Sequence, residues 1–458
     1  MKFQSTRFNK HFWVIETLLL GAGAPFLLFP TLRPTVTVGV LALFALWWLA
    51  RWGLERRPLP PTPFNGALLL WGSAVAVGIA VTAIPALTLP KATGLILGLA
   101  TWRYLTLTLH NRRDVRWGLA GLILVGIGIA GVGLLSVRWS VKIPFMQTWI
   151  ARLPQQILAL PEGPEAGVSA NQLGGVLAFY LPLALAAALG KLQALTHAKN
   201  RRQRWVAVGL LAGALLGLAL TAGLLVLTQS RSAWIGGVVG ILALLALWVG
   251  TGKRDWPRRA AGAALVMMLL LGGMVYARTE PAQIAALWER PGGVETDVVG
   301  TVTLSGRVEI WSRALYAIQD FPFTGCGLGT FREVMWILYP LFTISPGHDI
   351  AHAHNMFLQV AVDTGLPGLI AYLALLGSAA AVGWRVARRD VSLRPLALGL
   401  LAGLTALHVY GLTDALAPGS KPAVILWLAL GLLTGMAAMN DDEKQQTAEN
   451  FSLICSVV

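Results

Sequence analysis

The stretch "HDIAHAHN" gathers His348, Asp349, His352, His354 and Asn355 within eight positions, directly ahead of an apolar run. An imidazole titrates at about pH 6.5, so one of these histidines could serve as a general base near neutrality. The same residues also read as polar groups ending a helix at a membrane interface. A third reading is a metal site built from His348, Asp349, His352 and His354. Their spacing does not follow the HExxH zinc pattern, and few carboxylates surround them for a divalent cation. A single basic histidine fits this pattern better than a metal does.

Two arginines stand out in the same way. Arg231 lies in "TQSRSAWIGG", a turn of a few residues between two apolar runs. It reads either as an interfacial arginine snorkelling to a helix end or as an anion site. A guanidinium stays charged in apolar surroundings and forks onto phosphate oxygens, and Ser230 and Ser232 would add hydroxyl donors. Arg307, in "LSGRVEIW", falls at the expected start of an amphipathic helix. A cation there opposes the helix dipole, but together with the unpaired N–H groups of a first turn it suits a bound anion. The plainer alternative is a solvated loop arginine. "GCGLGTF" imitates a phosphate-cradling loop, yet no strand precedes it, so tight turns are the better reading.

The elements that must position these groups are membrane helices. The chain has 458 residues, 56% hydrophobic and 12% charged, with mean hydropathy +0.66. That composition excludes an ordinary soluble protein. Runs of about 20 apolar residues suffice to cross the hydrocarbon core of a bilayer. Twelve spans are expected, near 12–30, 34–52, 64–82, 88–108, 117–137, 170–190, 205–227, 233–250, 260–277, 355–382, 394–413 and 421–438. Those at 12–30, 34–52 and 88–108 are the weakest, because Pro30, Pro34 and Arg103 interrupt or border them. No cleavable leader is apparent, so the first run is expected to be a retained helix.

The net charge of +15 is scattered in short clusters between the spans and matches no nucleic-acid-binding motif. Alternate connections are rich in Lys and Arg, for example Arg112, Arg113 and Arg116, or Arg201, Arg202 and Arg204. The intervening short connections carry one basic residue each, such as Arg33, Lys91, Arg231 and Lys421. The positive-inside rule then puts both termini in the cytoplasm and Arg231, Arg307 and the histidines outside. The expected organisation is spans over 1–277, a large outer loop over 278–354, further spans over 355–438, and a cytoplasmic tail over 439–458. In the loop, Val308, Trp311, Leu315 and Ile318 recur at helical spacing, which predicts an amphipathic helix at the interface with Trp311 as its anchor. "FREVMWILYPLF" predicts a second short helix. Cys326 and Cys455 fall on opposite sides, so no disulfide between them is expected.

These residues carry a resemblance. The segment from Arg307 to Gly368, with "SRSAW" upstream, resembles the O-antigen ligase and polymerase superfamily of bacterial membrane glycosyltransferases. His354-Asn355, nine residues, then Gly365 and Gly368 fit the ligase signature. "GRVEIWSRALYAIQDFPFTGCGLGTF" reads like the family's loop segment.

The resemblance implies an all-α polytopic fold like that of class C glycosyltransferases. It implies transfer of a glycan from undecaprenyl diphosphate to an acceptor hydroxyl, such as one on lipid A-core, at the outer face of the bacterial inner membrane. Neither metal nor cofactor is implied. By motif, Arg231 and Arg307 correspond to the family's diphosphate-binding arginines and His354 to its catalytic histidine, with Ser230, Ser232, His352 and Asn355 in supporting positions. A polymerase extending one lipid-linked glycan with another, a protein O-oligosaccharyltransferase and a bicarbonate-type transporter remain open alternatives.

Overall fold

The computed structural model describes residues 10–251 apart from 57–58, 138, 144–145, 155–156 and 159–168, a few positions between 259 and 268, and residues 304–439 apart from 343 and 345–349. Most of the ninth expected span, the loop up to 303, His348, Asp349, Cys455 and the acidic tail lie outside the described residues.

Among the described residues the protein is helical and contains no strand. Eight helices and one short turn of helix precede the gap: α1 (Lys10–Leu28), α2 (Pro34–Glu55), α3 (Asn65–Ala80), α4 (Pro85–Thr108), α5 (Arg112–Ser136), the single turn α6 (Gln147–Ile150), α7 (Ala170–Thr196), α8 (Arg201–Leu227) and α9 (Arg231–Gly250). After it come α10 (Leu304–Asp320), α11 (Phe331–Leu338), α12 (Met356–Arg389), α13 (Arg394–Tyr410) and α14 (Lys421–Met439). Seven of these are long and apolar enough to cross a membrane: α2, α5, α7, α8, α9, α12 and α14. The chain is an all-α, polytopic membrane protein. Of the spans expected to be weakest, 34–52 falls on α2, one of the seven, while 12–30 and 88–108 fall on α1 and α4, which are not among them; nor are α3 and α13, on 64–82 and 394–413.

Sequence sets where the helices begin. Asn111 accepts hydrogen bonds from the amides of Arg113 and Asp114 at the start of α5, and Asn200 accepts one from Gln203 at the start of α8. Ser169 does the same for α7 through Gln172. Proline opens α2, α4 and α13, where a missing N–H is harmless. Arg103, which looked like an interruption of the fourth span, is buried in an ion pair with Glu16 of α1. That pairing lets a charged residue sit inside an apolar helix pair.

The centre of the bundle is α7, α9 and α13, which pack on one another. Small residues allow the close approach: a Cβ at Gly175 would strike the Tyr410 ring, and one at Gly236 would lie 2.6 Å from the Ala406 carbonyl oxygen. Toward lipid the helices stay apolar. α8 buries only Ala207 and Leu225, leaving Leu216 and Leu220 exposed.

A second, smaller core forms beneath the segment 304–354. It contains Ile310, Ala314, Ala317, Phe331, Met335, Ile350 and Ala353. The amphipathic helix expected here is α10. Of its stripe, Val308 and Leu315 are exposed and Trp311 and Ile318 half-buried, while a second face buries Arg307, Ile310, Ala314 and Ala317. Alanines let α10 approach its neighbours closely, so the small-residue face turns inward and the bulkier aliphatic stripe is left outside. Trp311 is half-buried, and its indole N–H donates to the His354 carbonyl at 3.2 Å. It clamps the histidine loop where an interfacial anchor was expected.

Candidate functional site

The turn between α13 and α14 is the hub of the site. Its residues "YGLTD", Tyr410 to Asp414, touch the histidine loop and Ser232, the neighbour of Arg231. From α9, the Ser232 hydroxyl accepts a hydrogen bond from the Thr413 hydroxyl at 2.6 Å. On α10, Arg307 lies one helical turn before Trp311, whose indole N–H donates to the His354 carbonyl. From the histidine loop, His352 Nε2 lies 3.5 Å and His354 Nδ1 3.8 Å from one carboxylate oxygen of Asp414.

Local sequence explains how each group is presented. Arg231 occupies the first position of α9, after Ser230 in extended backbone and Gln229 in a left-handed turn (φ 51°). Gln229 holds that turn from outside: its side-chain oxygen accepts from the amides of Lys142 and Ile143, each at 2.8 Å, and its amide group donates to the Ser140 carbonyl at 2.9 Å. Ser230 is buried against α7, where any side chain at Gly174 would collide with it. Arg307 is 8% exposed, and among the described residues its Nε has no hydrogen-bond partner. An unpartnered guanidinium donor that deeply buried is costly unless a ligand completes it.

The histidine loop is held in an unusual shape. His354 has φ 45°, the left-handed region that a non-glycine residue rarely enters. Three hydrogen bonds fix it. Trp311 takes its carbonyl, His352 Nδ1 accepts its amide at 3.2 Å, and the preceding amide of Ala353 donates to the Gln359 side-chain oxygen at 2.7 Å. Gln359 in turn donates to Asp363, whose carboxylate also receives the Gly329 amide, each at 2.9 Å. The two imidazole rings meet edge to face, 4.4 Å apart.

The hydrogen bonds also assign His352. Because its Nδ1 accepts an amide proton, the neutral ring carries its own proton on Nε2, the atom facing Asp414. Both nitrogens are committed, so His352 is a poor proton acceptor. Asn355 is likewise occupied: its side-chain oxygen accepts from the amides of Phe357 and Leu358 as the cap of α12, and its amide group donates to the Leu412 carbonyl at 3.0 Å. It ties the histidine loop to the hub.

The signature glycines shape the backbone behind this loop. Gly365, at φ 70° and ψ −178°, breaks α12 into two pieces, and a Cβ there would lie 2.6 Å from the carbonyl carbon of Phe323. Leu366 then donates its amide to the Pro322 carbonyl at 2.7 Å. Gly325, Gly327 and Gly329 all have positive φ, so "GCGLGTF" forms the tight turns expected of it and packs on the broken helix. Burial and nearby carboxylates push the Cys326 thiol up to about 12, leaving it protonated and inert at neutral pH.

His352, His354 and Asp414 could together offer three ligand atoms to a metal, all within 4.8 Å of one another. The metal set considered from sequence differs, since His348 and Asp349 lie outside the described residues. Asp414, Thr413 and Trp311 escaped sequence reasoning as members of the site. Asp414 left one signal, a lone carboxylate closing an apolar run in "HVYGLTDALAPG".

Comparison with known proteins follows this geometry. Residues 216–373, which carry Arg231, Arg307, the histidine loop and both signature glycines, match the family described as O-antigen ligase. The chain is also 30% identical over 292 residues to an O-antigen ligase of Pseudomonas aeruginosa, an alignment covering 62% of this chain. It spans 63% of that protein, somewhat under two thirds of its length. The resemblance drawn from the motifs is thus matched over that stretch: residues 216–373, which carry the arginines and the histidine loop, are similar to the O-antigen ligase family.

Proposed function

We propose that the protein is a glycosyltransferase of the O-antigen ligase type. It transfers a glycan from undecaprenyl diphosphate to an acceptor hydroxyl, on lipid A-core or a similar glycolipid, at the outer face of the bacterial inner membrane. In this reading both termini are cytoplasmic, and residues 278–354 form the outer loop over a bundle completed by 355–438. The observation that carries the proposal is a histidine pair set against Asp414, tied through Trp311 to the helix that holds a buried, incompletely bonded Arg307.

The chemistry follows from charge. Breaking the sugar–phosphate bond leaves negative charge on a lipid diphosphate. Arg231 and Arg307 supply forked donors for it, and Ser230 and Ser232 line the same turn. His354 takes the acceptor hydroxyl proton while that oxygen attacks the anomeric carbon opposite the departing diphosphate, which inverts the configuration. The imidazolium so formed lies 3.8 Å from the Asp414 carboxylate, which stabilises it. His352, held by Asp414 and by the His354 amide, fixes the loop. Asn355 anchors it to Leu412. No step requires a metal or nucleotide, because the donor is already activated.

Purified protein in liposomes, given undecaprenyl diphosphate-linked glycan and lipid A-core, should form the glycosylated acceptor. Product only when a second lipid-linked glycan is present would make the protein a polymerase. Failure with every hydroxyl acceptor, protein included, would contradict the proposal.

A further inference from the structure

A cleft of about 1180 Å³ opens along the bundle between α5, α7 and α8, and none of the residues placed in the site above lines it. Its floor is α7, on which α5 and α8 both pack. The walls are almost wholly apolar and small, including Gly126, Ala130, Ala187, Gly213 and Gly217. Space beside Gly213 and Gly217 is open: a Cβ built on either meets nothing within 4 Å. Tyr180 lies in the floor, but its hydroxyl donates to the Leu122 carbonyl at 2.7 Å and offers the cleft only its ring.

One end of this cleft differs from the rest. Arg112, Arg116 and Lys191 line it together, and the lining includes no carboxylate. Asp390 neutralises Arg112 through an ion pair of 3.1 Å, while Asp114 receives the His110 amide. Arg116 and Lys191 therefore leave two positive charges at the mouth. This is the end away from Arg231. Gly174, which packs on Ser230, precedes Lys191 by 17 residues of α7, or about 25 Å at the helical rise.

We infer that this cleft binds an anionic phospholipid, with its headgroup phosphate on Arg116 and Lys191 and an acyl chain along the glycine- and alanine-lined wall. An apolar channel of membrane depth fits a lipid chain. Basic pockets between transmembrane helices select anionic headgroups, each Lys or Arg near the surface contributing a severalfold preference. The polyprenyl donor does not fit the same pose, because its diphosphate belongs at the opposite end of α7. Excluding the donor rests on the proposed transfer reaction; the lipid site itself needs only the helices and the charged mouth.

Native mass spectrometry of the full chain, released from vesicles holding equal phosphatidylglycerol and phosphatidylcholine, tests it. Phosphatidylglycerol should be retained over phosphatidylcholine by about tenfold. Arg116→Gln with Lys191→Gln should abolish the preference. Gly217→Leu, which grows into open space, should lower retention of both lipids while leaving the size-exclusion profile unchanged. Equal retention of the two lipids by the native protein would overturn the inference. So would an unchanged preference in the charge variant, or undiminished binding in the Gly217 variant. Displacement of phosphatidylglycerol by added undecaprenyl phosphate would also overturn it and assign the cleft to the donor chain.

Discussion

The bundle and the cap over it, residues 304–354, are built by different rules. In the bundle, apolar runs specify the helices. The outward faces stay apolar because lipid is their solvent, and a buried charge is accommodated by pairing, as Arg103 with Glu16. In the cap, α10 and α11 are short and two-faced, and between them lie turns made by Gly325, Gly327 and Gly329. The bundle could hold a charged ligand group only at its rim; the cap could not hold still without the bundle beneath it. The site lies where they meet. Asp414 and Thr413 belong to a bundle turn, while His352, His354, Trp311 and Arg307 come from the cap. In the proposed reading the chemistry sits on the seam, because there buried charge can face the polar head of a lipid-borne substrate.

The largest test of that seam is His354→Ala. Removing the proton acceptor should lower the transfer rate by roughly 10²–10⁴-fold, measured as turnover with purified protein. A rate within a few-fold of native would remove His354 from the chemistry and leave the cap a purely structural cover.

Next come the arginines from either side of the seam. Arg307→Lys and Arg231→Lys keep the charge but lose the planar fork, so each should slow transfer by about 10–100-fold with normal protein levels. Wild-type rates in both lysine variants would refute a diphosphate role for the guanidinium groups. A deficit in Arg307→Lys alone would make the cap, and not the bundle, the donor-binding half.

Asp414→Asn should have a smaller effect, about tenfold on turnover with little change in acceptor KM, because it removes the charge beside the imidazoles and leaves the shape of the turn. A KM effect without a turnover effect would instead place Asp414 in acceptor binding.

The last contrast concerns stability. Gly365→Ala forces a side chain into a backbone region close to glycine-only and toward the Phe323 carbonyl, so the cap should loosen at a cost of about 1–3 kcal/mol. Limited proteolysis should then cut the cap faster while α7, α9 and α13 stay protected. Uniform loss of protection would mean that the two regions fold as one unit.

Legibility followed the same division. The bundle could be read because a helix in lipid must be apolar along its length, and that pattern needs no knowledge of neighbours. His354, Arg231 and Arg307 were visible because a polar residue at such a boundary is conspicuous. Asp414 was not, since its partners lie 60 residues upstream and only folding brings the turn after α13 beneath the histidine loop. The inward face of α10 was not legible for a related reason. Hydrophobicity favoured Val308 and Leu315, but close packing selected Ala314 and Ala317, and periodicity alone cannot rank bulk against fit. Asn355 looked chemical and proved to be committed to capping α12, a role its position before an apolar helix equally allows.

The central claim is that one histidine at the seam moves a proton without a metal, although His352, His354 and Asp414 could offer a metal three ligands. Turnover of wild type, His352→Ala and His354→Ala, each measured before and after exhaustive chelation, separates the two. Proton transfer by His354 predicts that chelation leaves the wild-type rate unchanged and that His352→Ala retains substantially more activity than His354→Ala. A chelator-sensitive wild type with both histidines equally essential would contradict it.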